Sequence, residues 1–227
     1  MERCWRSGKP RVLAGGTLVL APSRLYLFRV FKRAPIPRAD AKVSHMSDLL
    51  VRTPRLDLRP LGAEALEALV AGDGERLGRL TGARFRDPAP PPYMADALPI
   101  VRDRLRQHPD ETPWWNWLVV DRASGEAVGS VAFGGPVNVQ GAVLVGYAMY
   151  SEYEGRGYAT EAVKAMVGWA FGQPGVREVR ALAPVWNTPA LRVAENVGMR
   201  PVASEEDDDV GEVLLYAVTA PASVGSA

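Results

Sequence analysis

The chain has 227 residues, which suits one large domain or one domain with an extension. Apolar residues make up 47% and charged residues 23%, so the composition is that of a globular protein and excludes a collagen-like or wholly disordered chain. A single cysteine, Cys4, excludes a disulfide framework and a cysteine-based zinc site, and two histidines, His45 and His108, are too few for a histidine-rich metal centre. We therefore expect no metal.

The net charge of +1 conceals an uneven distribution of charge along the chain. Residues 1–45 hold ten Lys/Arg and two acidic residues, whereas residues 46–227 hold 17 Lys/Arg and 24 acidic residues. The acidic body argues against nucleic acid as a partner, because the phosphate backbone attracts basic surfaces. No apolar run reaches the roughly 18 residues that a membrane-spanning helix needs. We expect a cytoplasmic protein with no membrane span.

The N-terminal residues 1–46 are predicted to form a basic, poorly ordered extension. Four basic residues between Arg24 and Arg33 are interleaved with large apolar residues. A basic amphipathic helix that binds an acidic surface is therefore the alternative. A compact domain is predicted to begin at residue 47.

The periodicity of residues 47–219 predicts one α/β domain with a mixed (α+β) sheet, followed by a frayed tail at 220–227. Leu56 and Leu58 alternate with charged residues, which indicates a half-buried strand that ends at Pro60. In chain order, the predicted elements after it are helices at 63–71, 74–80 and about 94–107, strands at 117–120, 127–133 and 143–149, a helix at 158–171, a strand at 176–183, a helix at 189–197 and a strand at 212–218.

Two segments of this domain are predicted to lack regular structure. Residues 82–93 contain four prolines and form a loop between the second and third helices. The acidic run Glu205–Asp209 is predicted to be a solvated turn before the last strand.

The segment 145–162 carries the chemistry, because a strand, a glycine-bearing turn and a helix follow one another there. Gly155 and Gly157 lack the β-carbons that would block a ligand or forbid a positive φ. The helix that begins near Tyr158 presents unpaired main-chain N–H groups and the positive end of its dipole, an arrangement that suits a diphosphate. Arg156 can add a charge-assisted hydrogen bond to a phosphate. For the two glycines alone, a turn without a ligand is the simpler alternative.

The longer pattern resembles the acyl-CoA-binding motif of the GNAT N-acetyltransferase superfamily, whose turn reads Gln/Arg-x-x-Gly-x-Gly/Ala. Residues 154–159 (EGRGYA) occupy that motif. Residues 52–61 (RTPRLDLRPL) resemble the first strand of the branch that contains the Rim-type ribosomal-protein N-terminal acetyltransferases, and residues 187–201 resemble its later Asn-x-x-Ser…Gly-Phe block. The resemblance covers about residues 49–219. It implies the GNAT acyl-CoA N-acyltransferase fold, in which two central strands splay apart.

The resemblance implies that acetyl-CoA is the co-substrate and enters between the splayed fourth and fifth strands of the family. The pantetheine arm would pair with the main chain of the fourth strand, the diphosphate would bind the turn and the start of the helix, and Asn187 would contact the pantetheine through its amide. A helix N-cap is the alternative role for Asn187, and the two roles are compatible. The implied cofactor-binding residues are Ala148, Met149, Tyr150, Gly155, Arg156, Gly157, Tyr158, Ala159, Thr160 and Asn187.

Several positions depart from the family pattern. The first motif position is Glu154 instead of Gln or Arg, and we expect its carboxylate to point away from a diphosphate. Ala190 replaces the serine of the Asn-x-x-Ser motif, and the tyrosine that donates a proton in many members falls at Ala194. The glutamate bases of other branches fall near Leu182 and Leu144. The proton-handling positions that can be placed are therefore apolar.

Catalysis is feasible without those groups, because holding a neutral amine against a thioester carbonyl contributes up to roughly 7–11 kcal/mol. Main-chain N–H groups of the fourth strand could stabilise the oxyanion, and a water chain could remove the proton. The catalytic residues stay unknown at this stage. Tyr147, Tyr150 and Thr188 are the nearest hydroxyl groups and weak candidates, and a structural role is the simpler alternative for each.

In the family, the first two helices and the loop after them form one wall of the acceptor pocket. Phe85 and Arg86 fall in that loop, and the latter could favour an acidic acceptor. Strand alternation puts Trp115 and Trp117 on one face and Trp114 on the other. An aromatic wall for an amine is one interpretation, since a cation rests on indole faces, and core packing is the other. The candidate substrate-binding residues are Phe85, Arg86, Trp115 and Trp117.

The sequence thus predicts an acyl-CoA-dependent N-acyltransferase that transfers an acetyl group from acetyl-CoA to a primary amine, either a protein N-terminus or a small amine. A non-catalytic CoA-binding module is one alternative, which the apolar proton-handling positions favour. An interaction protein whose basic extension docks on an acidic surface is the other. The sequence does not decide whether the chain forms a homodimer.

Overall fold

The computed structural model describes residues 49–86, 90 and 97–221. The predicted extension at 1–46, most of the predicted proline-rich loop and the tail from residue 222 onward lie outside the described residues. The described elements are, in chain order, β1 (Val51–Arg52), β2 (Leu56–Pro60), α1 (Ala63–Ala71), α2 (Gly74–Thr81), α3 (Leu98–Gln107), a 3₁₀ helix (Pro109–Trp114), β3 (Asn116–Asp121), β4 (Ala127–Phe133), β5 (Ala142–Met149), a second 3₁₀ helix (Ser151–Tyr153), α4 (Tyr158–Phe171), β6 (Glu178–Pro184), α5 (Thr188–Asn196), β7 (Arg200–Asp207) and β8 (Gly211–Thr219).

The eight strands form one sheet in the order β1-β2-β3-β4-β5-β6-β8-β7. Neighbouring strands run antiparallel except β5 and β6, which run parallel and are connected through α4. A parallel pair needs a crossover connection, and a helix is the usual one. The predicted α/β class with a mixed sheet is confirmed.

The two parallel strands diverge along their length, as the family resemblance implied. Pairing joins Ala142–Leu144 to Glu178–Arg180 and ends there. Beyond that point, residues 145–149 of β5 stay paired with β4, and β6 stays paired with β8 as far as Pro184. The C-terminal halves of β5 and β6 therefore border a break in main-chain pairing, which we call the gap.

An aromatic cluster fixes α4 on one face of the sheet. The Trp169 ring of α4 has its centroid 5.2 Å from those of Trp114 and Trp117 and 5.5 Å from that of Phe133. Trp117 and Phe133 have no exposed surface. Burial of each large apolar side chain stabilises the fold by roughly 1.5–3 kcal/mol, so this cluster is a strong anchor for the helix.

The prediction for the faces of the tryptophans was wrong. Trp114 and Trp117 both contact Trp169, and Trp114 ends the 3₁₀ helix Pro109–Trp114, so it is not part of the strand whose alternation was used to place it. Trp115 is turned elsewhere, and its indole N–H lies 3.4 Å from a carboxylate oxygen of Glu111. Period-two alternation failed because the strand begins only at residue 116.

The prediction of a turn at Glu205–Asp209 was wrong for Glu205–Asp207 and is confirmed for the two residues after them. β7 continues to Asp207, and residues 208–210 form the turn. No residue of β7 is buried, so the strand lacks the alternating pattern that reveals strands, and main-chain pairing with β8 holds it. The Asp207 carboxylate accepts hydrogen bonds from the N–H groups of Asp209 and Val210 at 3.0 and 3.2 Å, which explains an aspartate at the start of the turn.

Candidate functional site

The glycine turn lies at the C-terminal end of β5, where the gap opens. Gly155 and Gly157 have φ values of +70° and +78°, in the left-handed region that favours glycine. A β-carbon added at Gly155 would meet no atom within 4 Å, whereas one at Gly157 would lie 3.4 Å from Nη2 of Arg55. The turn is therefore exposed at its first glycine and approached by a guanidinium at its second.

The start of α4 supplies main-chain donors next to this turn. The first helical hydrogen bond runs from the N–H of Glu161 to the carbonyl of Gly157, at 3.1 Å. The N–H groups of Tyr158, Ala159 and Thr160 precede that bond, and Gly157 has no side chain to cap them. These N–H groups and the helix dipole together form a donor set suited to an anion.

A partly buried network of hydrogen bonds connects residues next to the turn to the β3–β4 hairpin. The Tyr158 hydroxyl donates to the Asp121 carboxylate at the end of β3, and the Tyr153 hydroxyl donates to Glu126 at 2.8 Å. The hydrogen bond from Tyr158 holds the pKa of the Asp121 carboxyl below its ordinary value, and it raises the pKa of Tyr158. Both tyrosines thus keep their protons, and the turn rests on fixed hydroxyl–carboxylate contacts.

Two arginines extend this network toward the surface. Arg86 donates to both carboxylate oxygens of Glu126, at 3.0 and 3.2 Å, and the hydrogen bond from Arg86 lowers the pKa of that carboxyl. Arg156 lies with its guanidinium carbon 5.6 Å from the centre of the Tyr153 ring. Positive charge therefore flanks the turn, and Arg86, which was predicted to face the acceptor, has its ion pair beside the turn.

The segment between β1 and β2 is fastened to the first turn of α4. The Glu161 carboxylate accepts hydrogen bonds from Thr53 Oγ1 at 2.6 Å, from the Arg55 N–H at 2.9 Å and from Arg55 Nε at 2.6 Å. Burial alone raises the pKa of the Glu161 carboxyl, but these hydrogen bonds and the Arg55 charge outweigh burial and hold the pKa below its ordinary value. Sequence reasoning missed both Arg55 and Glu161 as site residues.

The edge of β5 that borders the gap can be read from the hydrogen bonds on its other side. The N–H of Gly134 donates to Leu144, and the N–H of Tyr150 donates to Val128, so the even-numbered residues of β5 direct their main chain toward β4. The main-chain groups of the odd-numbered residues therefore face the gap; they belong to Val145, Tyr147 and Met149. Among the predicted strand contacts, Met149 lies on this edge, whereas Ala148 directs its main chain to β4 and Tyr150 donates its N–H there and accepts from Tyr153.

Asn187 lies at the end of the loop that follows β6, on the far side of the gap. Its Oδ1 accepts a hydrogen bond from the N–H of Ala190 at 3.2 Å and caps α5. The cap uses only the oxygen of the amide, so Nδ2 keeps its donors for a second partner. Both roles predicted for Asn187 are therefore compatible with this geometry.

The three hydroxyl candidates occupy different environments. Tyr147 is half-buried, and burial together with the charge of Glu154 raises the pKa of its hydroxyl, so it holds its proton at neutral pH. Tyr150 is buried, whereas Thr188 is exposed as the first residue of α5. Tyr147 is accordingly suited to donate a hydrogen bond or a proton and unsuited to act as a base at neutral pH.

The predicted aromatic acceptor wall is not formed by Trp117. Trp117 is fully buried against α4, and its indole N–H donates to the carbonyl of Pro113 at 2.8 Å. Trp115 is 6% exposed, and Phe85 packs half-buried against the core. Core packing, which was the alternative for the tryptophans, therefore accounts for Trp117.

Within residues 49–86, 90 and 97–221, no three His, Cys, Asp or Glu side chains gather where they could hold a metal ion. No helix in the same residues has the length and hydropathy to cross a bilayer.

Comparison with known proteins identifies relatives of the chain. The family described as "Acetyltransferase (GNAT) domain" matches residues 55–200. Among curated proteins, the chain is 30% identical over 84 residues to "Uncharacterized protein YkkB" of Bacillus subtilis (strain 168), covering 37% of this chain and 49% of that protein, so it spans about half of that relative's length. It is 28% identical over 143 residues to "Putative ribosomal N-acetyltransferase YdaF" of the same organism, covering 62% of this chain and 74% of the relative.

A solved structure shares the fold. It is that of RimL, a ribosomal L7/L12 α-N-protein acetyltransferase in complex with coenzyme A. The match has a TM-score of 0.54 and 16% identity, and it covers 75% of this chain and 98% of RimL. At that identity the likeness supports the fold and leaves the substrate of this chain to its own residues.

Proposed function

The chain belongs to the GNAT acetyltransferase family, whose members are acyl-CoA-dependent N-acetyltransferases, and we propose that it transfers an acetyl group from acetyl-CoA to a primary amine. The observation that carries the proposal is the juxtaposition of the gap with the glycine turn. The gap offers an unpaired strand edge to an extended arm. The glycine turn and the helix start after it offer N–H donors to an anion at the end of that arm.

The residues present fit coenzyme A. A diphosphate is suited by the donor set at Tyr158–Thr160 together with Arg156. A pantetheine arm, which carries amide groups, is suited by the main-chain groups of Tyr147 and Met149, and Nδ2 of Asn187 is a donor across the gap. The thioester supplies the activated acetyl group, and this chain supplies position and hydrogen bonds.

The proposed reaction is a direct transfer within a ternary complex. The neutral amine attacks the thioester carbonyl carbon, a C–N bond forms and the C–S bond breaks, the amine loses a proton to water, and the thiolate gains one. Holding the two reactants together contributes several kcal/mol, up to roughly 7–11. N–H groups on the gap edge of β5 are donors for the oxyanion, and the Tyr147 hydroxyl is a donor for the thiolate.

The acceptor is proposed to be a protein N-terminal α-amine, with a small amine as the second candidate. The relative YdaF, described as a putative ribosomal N-acetyltransferase, supports the first. The alternative to an enzyme is a CoA-binding module without turnover. It is favoured by the apolar residues at the proton-handling positions, which are Leu144, Leu182, Ala190 and Ala194.

Turnover of acetyl-CoA separates these proposals. The test is release of free thiol, with mass spectrometry of the product, from peptides with free N-termini, matched peptides with blocked N-termini and internal lysines, and small amines. We expect acetylation of at least one free amine. Tight binding of CoA without acetylation of any amine would establish the binding module, and failure to bind CoA would refute the proposed function.

A further inference from the structure

Arg55 is held over the phosphate-binding turn from a distant part of the chain. It lies between β1 and β2, and its Nε and main-chain N–H both donate to Glu161, 106 residues further along the chain. Its Nη1 donates to the carbonyl of Arg156 at 3.0 Å, inside the glycine turn. Its guanidinium carbon lies 4.6 Å from the centre of the Tyr158 ring. The guanidinium is thus fixed on three sides.

Nη2, the remaining nitrogen of the guanidinium, lies beside the second glycine of the turn. It is 3.4 Å from the point that a β-carbon of Gly157 would occupy, and it donates to no acceptor in the described part of the chain. The side chain is 45% exposed, so a ligand can reach it. A donor that is fixed in place and left unused beside a turn of N–H groups loses little conformational freedom when it binds an anion.

Arg55 also neutralises a carboxylate close to the proposed diphosphate site. Glu161 lies in the first turn of α4 and its lowered pKa keeps it ionised, so an unpaired carboxylate would repel a diphosphate bound at the helix start. Arg55 neutralises that carboxylate at 2.6 Å and still presents Nη2.

We propose that Arg55 binds the diphosphate of coenzyme A directly through Nη2, while its other two nitrogens hold the turn and Glu161. This rests on the proposed function. It adds to the turn and helix start a phosphate-binding residue from the β1–β2 segment. Charge-assisted hydrogen bonds to phosphate are among the stronger polar contacts, so loss of this one weakens CoA binding by about tenfold or more.

The test compares ligands that differ at the diphosphate. Wild type, Arg55→Ala and Arg55→Lys are titrated with CoA, with dephospho-CoA, which keeps the diphosphate and lacks the 3′-phosphate, and with pantetheine, which lacks both. Arg52→Ala is the matched control, because Arg52 lies on the same hairpin and its Nε pairs with Asp57 at 3.5 Å. We expect Arg55→Ala to weaken CoA and dephospho-CoA equally and to leave pantetheine and the control unchanged.

Each other outcome overturns the assignment in a distinct way. Unchanged CoA affinity in Arg55→Ala removes the contact. Loss for CoA alone moves the contact to the 3′-phosphate. Equal loss for pantetheine, which does not reach the turn, means that Arg55 acts through the fold of the domain and not through the diphosphate. A loss in Glu161→Gln, which keeps Nη2 and weakens the anchor of Arg55, as large as the loss in Arg55→Ala means that Arg55 acts only by shaping the turn. If Arg55→Ala does not fold, Arg55→Lys replaces it in the test, since a lysine keeps the positive charge and lacks the forked guanidinium. Wild-type affinity of Arg55→Lys for both CoA and dephospho-CoA would overturn the proposal. Failure of the wild type to bind CoA refutes the proposed function itself.

Discussion

Replacing Gly157 with valine separates folding from ligand binding at the turn. Gly157 has φ +78°, where an L-residue costs roughly 1–2 kcal/mol, so we expect the melting temperature to fall by about 2–8 °C while the domain stays folded. The new β-carbon would lie 3.4 Å from Arg55 Nη2, and the valine methyl groups extend beyond it into the same space. We expect the valine to remove two charge-assisted contacts to the diphosphate, each of which contributes about 1.5 kcal/mol to binding. CoA affinity then falls by about 100-fold.

The assay is calorimetric titration with CoA beside a thermal melt, and Gly72→Val is the matched control. Gly72 caps the end of α1 with φ +67°, and a β-carbon there would meet no atom within 4 Å, so the backbone strain is similar and the site is remote. We expect the control to melt lower and to bind CoA as the wild type does. Wild-type affinity in Gly157→Val, at a lowered melting temperature, would show that the diphosphate is not bound at this turn.

Two further predictions concern Asn187 and the acid limb of stability. Asn187→Ala is expected to weaken acetyl-CoA binding about tenfold and to destabilise α5 by about 1 kcal/mol, whereas Asn187→Asp keeps the capping oxygen and loses only affinity. Wild-type affinity in both variants, measured by titration, would reduce Asn187 to a cap. The pKa values of Asp121 and Glu161 are lowered by folding, so their stabilisation is present above the ordinary carboxyl pKa and is lost as pH falls through the folded values. In urea unfolding between about pH 5 and 2, the free energy of unfolding should decline less steeply with falling pH in Glu161→Gln than in wild type. An equal decline in the two proteins would contradict the lowered pKa of Glu161.

The parts of the site that depend on neighbouring residues could be predicted from the sequence. The positive φ of Gly157 follows from a glycine between a strand and a helix, and the cap of Asn187 needs only Ala190, three residues away. The divergence of β5 and β6 came from the family resemblance, because pairing between strands leaves no local mark in either one.

The parts that depend on distant residues could not be predicted in this way. The contact of Arg55 with Glu161 joins positions 106 apart, and each carries an ordinary charge in its own segment. A signal was available, since both residues lie in the two blocks that resemble the family, one at the first strand and the other just after the turn. The faces of Trp114 and Trp117 were misjudged for a local reason, because strand alternation was applied to Trp114, which belongs to the 3₁₀ helix before β3.

The chemistry of the gap makes the acceptor itself visible in the pH dependence of the rate. The positions where the family places acids and bases hold Leu144, Leu182, Ala190 and Ala194, none of which titrates, and the raised pKa of Tyr147 keeps that hydroxyl protonated. We therefore expect kcat/KM for the amine to rise about tenfold per pH unit up to the pKa of the amine, about 7.7–8.0 for an N-terminal α-amine and about 10.4 for a lysine-like amine. A break at the same pH for both amines would instead report a base within the protein and would refute catalysis by approximation alone.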